Sequence, residues 1–294
     1  MLDLINFYLI PGLVVGAIYT LGAIGISLIF SILRVAHLAH GDLMAIGAYF
    51  ALSWVHLLGG PAYLALPAAM ALTALVAIGV DRTCYRPLRR RRTVMVIIAS
   101  FGVALMLRAA LMLIWGPDTQ VYQSGIQRPM VVAGLRLQEK HLFILGAAIV
   151  LVVLLHLFLT RTITGKAMRA VSDDPDLARV CGVRTERVIL AMWITAGSLC
   201  AAAGVFLGVD TQLSPLMGFN MLLPMFAAAI LGGIGKPYGA IVGGMVIGLA
   251  EELSTYPLFG EPLIEPTYKS AIAFTIMVLM LLWRPTGLFR GKVL

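Results

Sequence analysis

Polar positions in this chain fall in clumps, and the apolar positions between them form runs about as long as a bilayer is thick. Runs can be marked at about residues 8–33, 42–58, 62–81, 94–115, 142–160, 188–209, 221–234, 238–256 and 267–283. Roughly 20 apolar residues of helix cross the ~30 Å of hydrocarbon, so a chain of 294 residues has room for about eight to ten crossings. None of the runs alternates with a period of two, and a spanning backbone in lipid must satisfy its own hydrogen bonds. The pattern therefore predicts an all-α fold, a polytopic transmembrane helix bundle forming a single domain over 1–294. The runs at 42–58 and 221–234 are short for a full crossing, which makes them candidates for broken or re-entrant helices.

Composition narrows the class further. The chain is 60% hydrophobic and only 12% charged, and little of it remains for a separate soluble domain. A net charge of +8 would suggest nucleic acid in a soluble protein, but here the cations lie between apolar runs, where they set orientation. No nucleic-acid partner is expected; the surrounding partner is the lipid bilayer. Three segments hold most of the cations. They are "DRTCYRPLRRRR" with six arginines from Arg82 to Arg92, the region around 161–187 with Arg161, Lys166, Arg169, Arg179, Arg184 and Arg187, and the tail with Arg284, Arg290 and Lys292. The positive-inside rule puts these in the cytoplasm, so the C-terminus is expected to be cytoplasmic and, with nine crossings, the N-terminus periplasmic. The opening "MLDLINFYLI", with Asp3 and a run of spanning length, is expected to be retained rather than cleaved as a signal. Outward connections at 116–140 and 256–266, the latter with Glu261 and Glu265, are too short to bind a solute unaided. Cys84, Cys181 and Cys200 are scattered and suggest neither a disulfide framework nor a metal site.

The polar stretch "GKAMRAVSDDPDLARVCGV", 165–183, is the most specific signal. Asp173 or Asp174 suits an N-cap, Pro175 the first helical position, and Gly182 the stop after about two turns. Thr185 can cap the next span, with Glu186 near the positive end of that helix's dipole. Charged residues alone would keep a linker in water, so a short helix with defined ends points to a docking partner, against the plainer reading of a solvated linker. A second signal is the glycine lattice. Gly235, Gly239 and Gly243 recur every four residues, as do Gly244 and Gly248, and Gly232 and Gly233 precede them; such bare helix faces let another helix approach closely. "GIGKP" resembles a phosphate loop only superficially, since Ile230 and Pro237 stand where glycine and Ser or Thr are required, and "TGKA" fails likewise.

A third signal is "RVAHLAHGDLMAIGAY", 34–49, where Arg34 suits a helix C-terminus and Gly41 breaks the chain before Asp42 opens a new helix. His37 and His40 are three residues apart, but no third or fourth ligand is evident, so no metal site is expected. Either a plain interfacial turn or a broken helix facing a solute path fits the segment. Arg108 can snorkel from within its run, Glu251 and Glu252 close theirs near the outer surface, and Asp210 begins a loop. No deep carboxylate of the kind a proton-driven carrier buries stands out, and no HExxH, GxSxG or paired deep aspartates suggest an enzyme.

Taken together, "GAIYTLGAIGISLIFSILRVAHLAHGDLMAIGAY", "YRPLR", "GKAMRAVSDDPDLARVCGVRTERV", "GSLCAAAGVFLG", "FAAAILGGIGKPYGAIVGGMVIGLAE" and "RPTGLF" resemble the permease subunits of bacterial branched-chain amino acid ABC importers, over nearly the whole chain. The resemblance implies a multi-pass inner-membrane transport subunit with no cofactor of its own. ATP and Mg would be bound by two cytoplasmic ATPase subunits, and a second homologous permease and a periplasmic solute-binding protein would complete the system. It implies that the segment of about 161–187 faces the ATPases, with Gly165, Lys166, Arg169, Asp174, Pro175, Ala178, Arg179 and Gly182 in coupling. His37, His40, Gly41 and Pro224 are candidates for the translocation path. The chain departs from the usual pattern at His37 and Leu38, where "NF" is common, at Pro224, where lysine is frequent, and at Lys236, a common serine. The first two places flank the implied path, and relatives of the family also carry urea, amides and other small organic solutes.

Overall fold

The computed structural model describes residues 4–89, 91–122, 130–132, 135–257, 264–265, 268–289 and 291; Asp3, Arg90, Glu261, Arg290 and Lys292 lie outside the described residues. Among the described residues, nine apolar helices occupy the nine runs. They are α1 (Ile10–Leu33), α2 (His40–Leu58), α3 (Leu66–Val80), α4 (Thr93–Trp115), α5 (Glu139–Arg161), α8 (Thr185–Asp210), α9 (Met217–Gly232), α10 (Pro237–Leu253) and α11 (Ser270–Trp283); two polar helices, α6 (Ile163–Asp173) and α7 (Pro175–Val180), interrupt them. Six are long and apolar enough to cross a membrane, counting the turns that extend α1 back to Ile5 and α3 across Ala62–Leu88. The other three, α9, α10 and α11, have 16, 17 and 14 residues. At 1.5 Å per residue these span about 21–26 Å, short of a full ~30 Å core.

Two segments differ from the sequence-based expectation. The arginine-rich stretch after α3 is helical through a π turn at Asp81–Tyr85 and on to Leu88, so Arg82 and Arg86 ride on the helix rather than in a loop. In the 116–140 connection, Met130–Val132 and Leu135–Leu137 form a two-stranded antiparallel hairpin in an otherwise helical fold, with Val131 opposite Arg136. Its period-two signal is only three residues long per strand, too short to read.

α1 is the axis of the bundle, buried from Gly16 to Ser31 and enclosed by α10, α8 and α9. Small residues allow that enclosure. A Cβ at Gly244 would sit 2.5 Å from the Thr20 hydroxyl, and one at Gly248 would overlap Gly16. Gly232 and Gly239 meet backbone to backbone between α9 and α10, and Gly243 lies against the Ala228 carbonyl. Gly233 and Gly235, however, are not on a helix face. They have φ of +107° and +83° in the turn between α9 and α10, a conformation that glycine adopts freely, so the four-residue ladder begins at Gly239. The tail closes over this turn: Leu288 N donates to Leu231 O at 2.9 Å and Phe289 N to Gly232 O at 3.2 Å, with Gly287 against Gly233.

The basic segments gather at one end of the bundle. Arg34, at the end of α1, donates to Ser172 O of α6 at 3.2 Å, and Arg89 reaches Glu186 at the start of α8. Gly235 comes up to Ser31 near the end of α1. At the opposite end, Lys140 and His141 of α5 hold Asp210 of α8 at 3.2 and 3.3 Å, beside a recess of about 720 Å³ lined by Tyr63, Tyr122 and Phe143.

Close backbone contact makes a clear prediction. Gly41→Leu must displace the Gly218 carbonyl, which a Cβ at that position would overlap, whereas Gly102 faces open space. Gly41→Leu is expected to abolish the monodisperse peak in detergent size-exclusion chromatography, since overpacking costs about 1–3 kcal/mol or more, and Gly102→Ala to leave it unchanged.

Candidate functional site

Two features are joined in space: the polar helices at the basic end and a buried break between α1 and α2. α6 begins where Thr162 caps Gly165 N at 2.9 Å. Gly165 is required there, because a side chain would collide with the Phe158 carbonyl at the end of α5. The helix buries Gly165, Met168 and Val171 against the bundle and exposes Lys166 and Arg169. Sequence alone predicts only the short helix α7; "GKAMRAVSD" is itself helical, and its buried positions at three-residue spacing carry the signal.

Asp174 is the cap of α7: its Oδ1 accepts from Asp176 N at 2.9 Å and Leu177 N at 3.0 Å, with Pro175 at the first position. Gly182, at φ +85°, ends the helix, and Val183 N returns to Ala178 O at 2.9 Å. Ala178 points inward and is buried, while Leu177 and Val180 are 60% and 85% exposed and Arg179 points outward. An exposed apolar pair on a helix of six residues is a contact surface in search of a partner. The cap of α8 differs from expectation. Arg184 occupies the N-cap position without a side-chain bond and Thr185 is already inside the helix. The start of α8 is held instead by Glu186, which pairs with Arg89 at 3.2 Å while Arg89 also binds Asp81 at 2.5 Å.

Between α1 and α2 the chain leaves the helix at the exposed Arg34 and turns into the protein. Arg34 adopts a left-handed conformation, φ +56°, and residues 35–39 turn back along α1. His40 Nε2 donates to Gly22 O at 3.2 Å, so the ring of α2's first residue reaches α1 eleven residues before Leu33. Glycine makes room for the ring: a Cβ at Gly25 would lie 2.7 Å from it. The non-helical backbone finds its partners locally. Ala39 N donates to Ser100 Oγ at 3.2 Å, His40 N to His37 O at 3.3 Å, and Cys200 Sγ to His40 O at 3.0 Å. His37 Nε2 lies 3.0 Å from the Tyr85 hydroxyl, which donates to Ser100 at 3.3 Å. Trp193 of α8 stacks on Tyr85 with ring centroids 5.5 Å apart and meets His37 edge-on at 5.1 Å.

Both histidines are thus buried in protein, although the turn that leads to them starts at the exposed Arg34, and Gly41 is pressed against Gly218. Pro224 lies buried inside α9, one turn beyond the exposed Asn220, whose carbonyl it leaves without its helical donor. Asp42 and Arg108 correct the sequence reading. Arg108 does not snorkel; its guanidinium bonds both carboxylate oxygens of Asp42, at 2.9 and 3.2 Å, and covers the Phe219 ring at 4.9 Å. Glu251 is likewise turned inward, fully buried, and accepts from the Tyr19 hydroxyl at 2.7 Å. Buried carboxylates are therefore present, contrary to the expectation from the sequence. Ser100 and Trp193 carry no motif of their own, and Tyr85 opens "YRPLR" without announcing a contact to His37; Arg108 inside an apolar run is the visible hint.

The Asp42–Arg108 pair generates a stability prediction. Removing one partner of a buried ion pair costs roughly 3–5 kcal/mol, while replacing both with apolar residues of similar size costs much less. Asp42→Asn is expected to lower the unfolding temperature in detergent more than the double change Asp42→Leu with Arg108→Met.

The comparisons with known proteins bear on the family and the fold. A family described as "Branched-chain amino acid transport system / permease component" matches residues 8–281. The chain is 29% identical to the high-affinity branched-chain amino acid transport system permease protein BraD of Pseudomonas aeruginosa, over 95% of this chain and 94% of that one. It is 30% identical to the permease protein LivH of Escherichia coli K12, covering 94% and 92%, and 30% identical to the probable permease LivH of Methanocaldococcus jannaschii, covering 90% and 86%. Among solved structures, PsaBC from Streptococcus pneumoniae in complex with Fab shares the fold, with a TM-score of 0.55 and 13% identity, over 97% of this chain and 95% of that one. A multi-pass helical bundle with this sequence likeness over nearly its full length belongs to the family of branched-chain amino acid transport system permease components, transport subunits rather than enzymes.

Proposed function

We propose that this permease imports branched-chain or related hydrophobic amino acids by alternating access, driven by ATP that partner subunits hydrolyse. The observation that carries the reading is α7: a helix with capped ends whose Leu177, Arg179 and Val180 are presented outward, uncovered by any of the described residues. In this reading two ATPases, which hold the ATP and Mg, grip α6 and α7 at the basic end. A second, homologous permease completes the pore, and a periplasmic solute-binding protein delivers solute to the opposite end. The basic end is cytoplasmic and carries the C-terminus, in keeping with the charge rule. Nine crossings then put the N-terminus outside, which suits the direction of α1 from Ile10 down to the Arg34 turn. The amino-acid substrate rests on the relatives' descriptions; the chain's own departures at His37, Leu38 and Pro224 mark the positions to vary when specificity is mapped.

Motion would enter through α7. Gly182 links it to α8 within three residues, and Glu186, Arg89 and Asp81 tie the start of α8 to the end of α3. Two turns along α8, Trp193 touches Tyr85 and His37, which border the break before α2. A displaced α7 therefore has a path of direct contacts to the interior.

Ala178→Pro removes the Ala178 N to Asp174 O bond and crowds the helix. In proteoliposomes containing the assembled transporter and its binding protein, it is expected to cut ATP-dependent leucine uptake at least tenfold while membrane insertion is kept. Full uptake in the variant, or wild-type uptake without ATP or partners, would overturn the reading.

A further inference from the structure

At the basic end, a pocket of about 200 Å³ opens between α1, α5, α6 and the turn before α10. Its floor is apolar, with Leu28 and Ile32 from the last turns of α1, Leu159 from the last turn of α5 and Met168 from α6. Two cations stand on its rim, Arg169 on α6 and Lys236 at the N-cap of α10. Both are exposed, and among the described residues no ion pair engages either of them. Asp173 is the acidic group in the lining, and the guanidinium of Arg34, bonded to Ser172 O, adds a third cation at its edge.

The pocket's height and surroundings say what could enter it. It sits at the ends of three helices, where hydrocarbon gives way to water, and the exposed ring of Tyr238 stands at its mouth, held by His156 Nδ1 at 2.9 Å. Aromatic side chains of this kind favour the headgroup level. Away from the basic end, α5 and α10 continue with exposed Leu154 and Leu157 on one side and Val242 and Val246 on the other. A phosphate placed between Arg169 and Lys236 would thus have apolar surface beneath it and two greasy helices leading from it into the bilayer.

We propose that this pocket binds the phosphate headgroup of an anionic phospholipid, with its acyl chains laid along α5 and α10. The reading needs only that the bundle sits in a membrane; Arg169 lies on α6, which the coupling reading also uses, whereas Lys236 lies outside that segment, so Lys236→Ser reports on the lipid alone. A basic pocket between helix ends on the side facing the negative leaflet is the arrangement that holds such lipids. A free phosphate has the same charge but gains nothing from the apolar floor or the flanking helices. Lys236, in the turn before α10, then supplies the pocket's second cation.

The test uses the full-length permease with the subunits that co-purify, in phosphatidylcholine nanodiscs with graded phosphatidylglycerol, read by native mass spectrometry as lipid retained through delipidation. Lys236→Ser and Arg169→Gln are each expected to weaken phosphatidylglycerol retention about fivefold, and the double variant more strongly. Arg187→Gln, an exposed cation outside the pocket, should change nothing. Lys236→Ser puts a favoured N-cap residue at an exposed position, so folding is kept, and an unshifted thermal transition confirms it. Excess inorganic phosphate should not displace the lipid. Wild-type retention in the double variant, or displacement of the lipid by inorganic phosphate, would overturn the proposal.

Discussion

A backbone that leaves its helix where there is no water must find every hydrogen bond in protein. That constraint shapes the interior of this bundle more than any single side chain does. From the exposed Arg34 the chain turns inward, and at Ala39 and His40, where it is buried, Ser100 accepts from Ala39 N and Cys200 donates to His40 O, while Tyr85 meets the His37 ring. Once those partners are fixed, the neighbouring helices have little freedom. α1 needs Gly25 beneath His40 and Gly22 against Met225, α2 needs Gly41 against Gly218, and α8 needs Gly204 under the Met44 carbonyl. The small residues around the break let a non-helical turn enter a close-packed core, as those between α1, α9 and α10 let helices approach.

The same arrangement joins the basic end to the interior. α7 is fixed at its two ends by Asp174 and Gly182, and its outer face carries apolar side chains that the described residues do not cover. Beyond it the contacts are stiff. Glu186, Arg89 and Asp81 form a bridged set of charges, and Trp193, Tyr85 and His37 form a cluster of rings in contact. A braced α8 between a short lever and a buried break is a mechanical layout suited to a subunit that does no chemistry of its own. The tail packed over the Gly233–Gly235 turn closes the same end.

Much of this is legible in the sequence, because the strongest signals are local. Nine apolar runs become nine helices, and the cap, the proline and the stop of α7 are readable from residue types at fixed spacing. Contacts between distant segments are not. Nothing near Asp42 announces that Arg108, 66 positions away, will neutralise it, and Glu251 reads as a helix end until Tyr19 is placed against it. The start of α8 is obscured for a related reason: Thr185 has the chemistry of a cap, but the bridge from Arg89 to Glu186 already holds that helix end, and the cap position falls one residue earlier, at Arg184. Gly235 reads as part of the helical ladder because a spacing of four looks the same in a turn as on a helix.

The central claim, that the bundle is worked from its basic end through α7, can be tested with a residue the chain already has. Cys181 is exposed directly after α7, whereas Cys200 is buried. With Cys84 changed to serine, Cys181 should be labelled by an impermeant thiol reagent only from the cytoplasmic side, and a short bifunctional reagent should join it to the ATPase in the assembled transporter, with a yield that changes when ATP binds. Labelling from the outside, or an ATPase that never crosslinks to Cys181, would contradict the account.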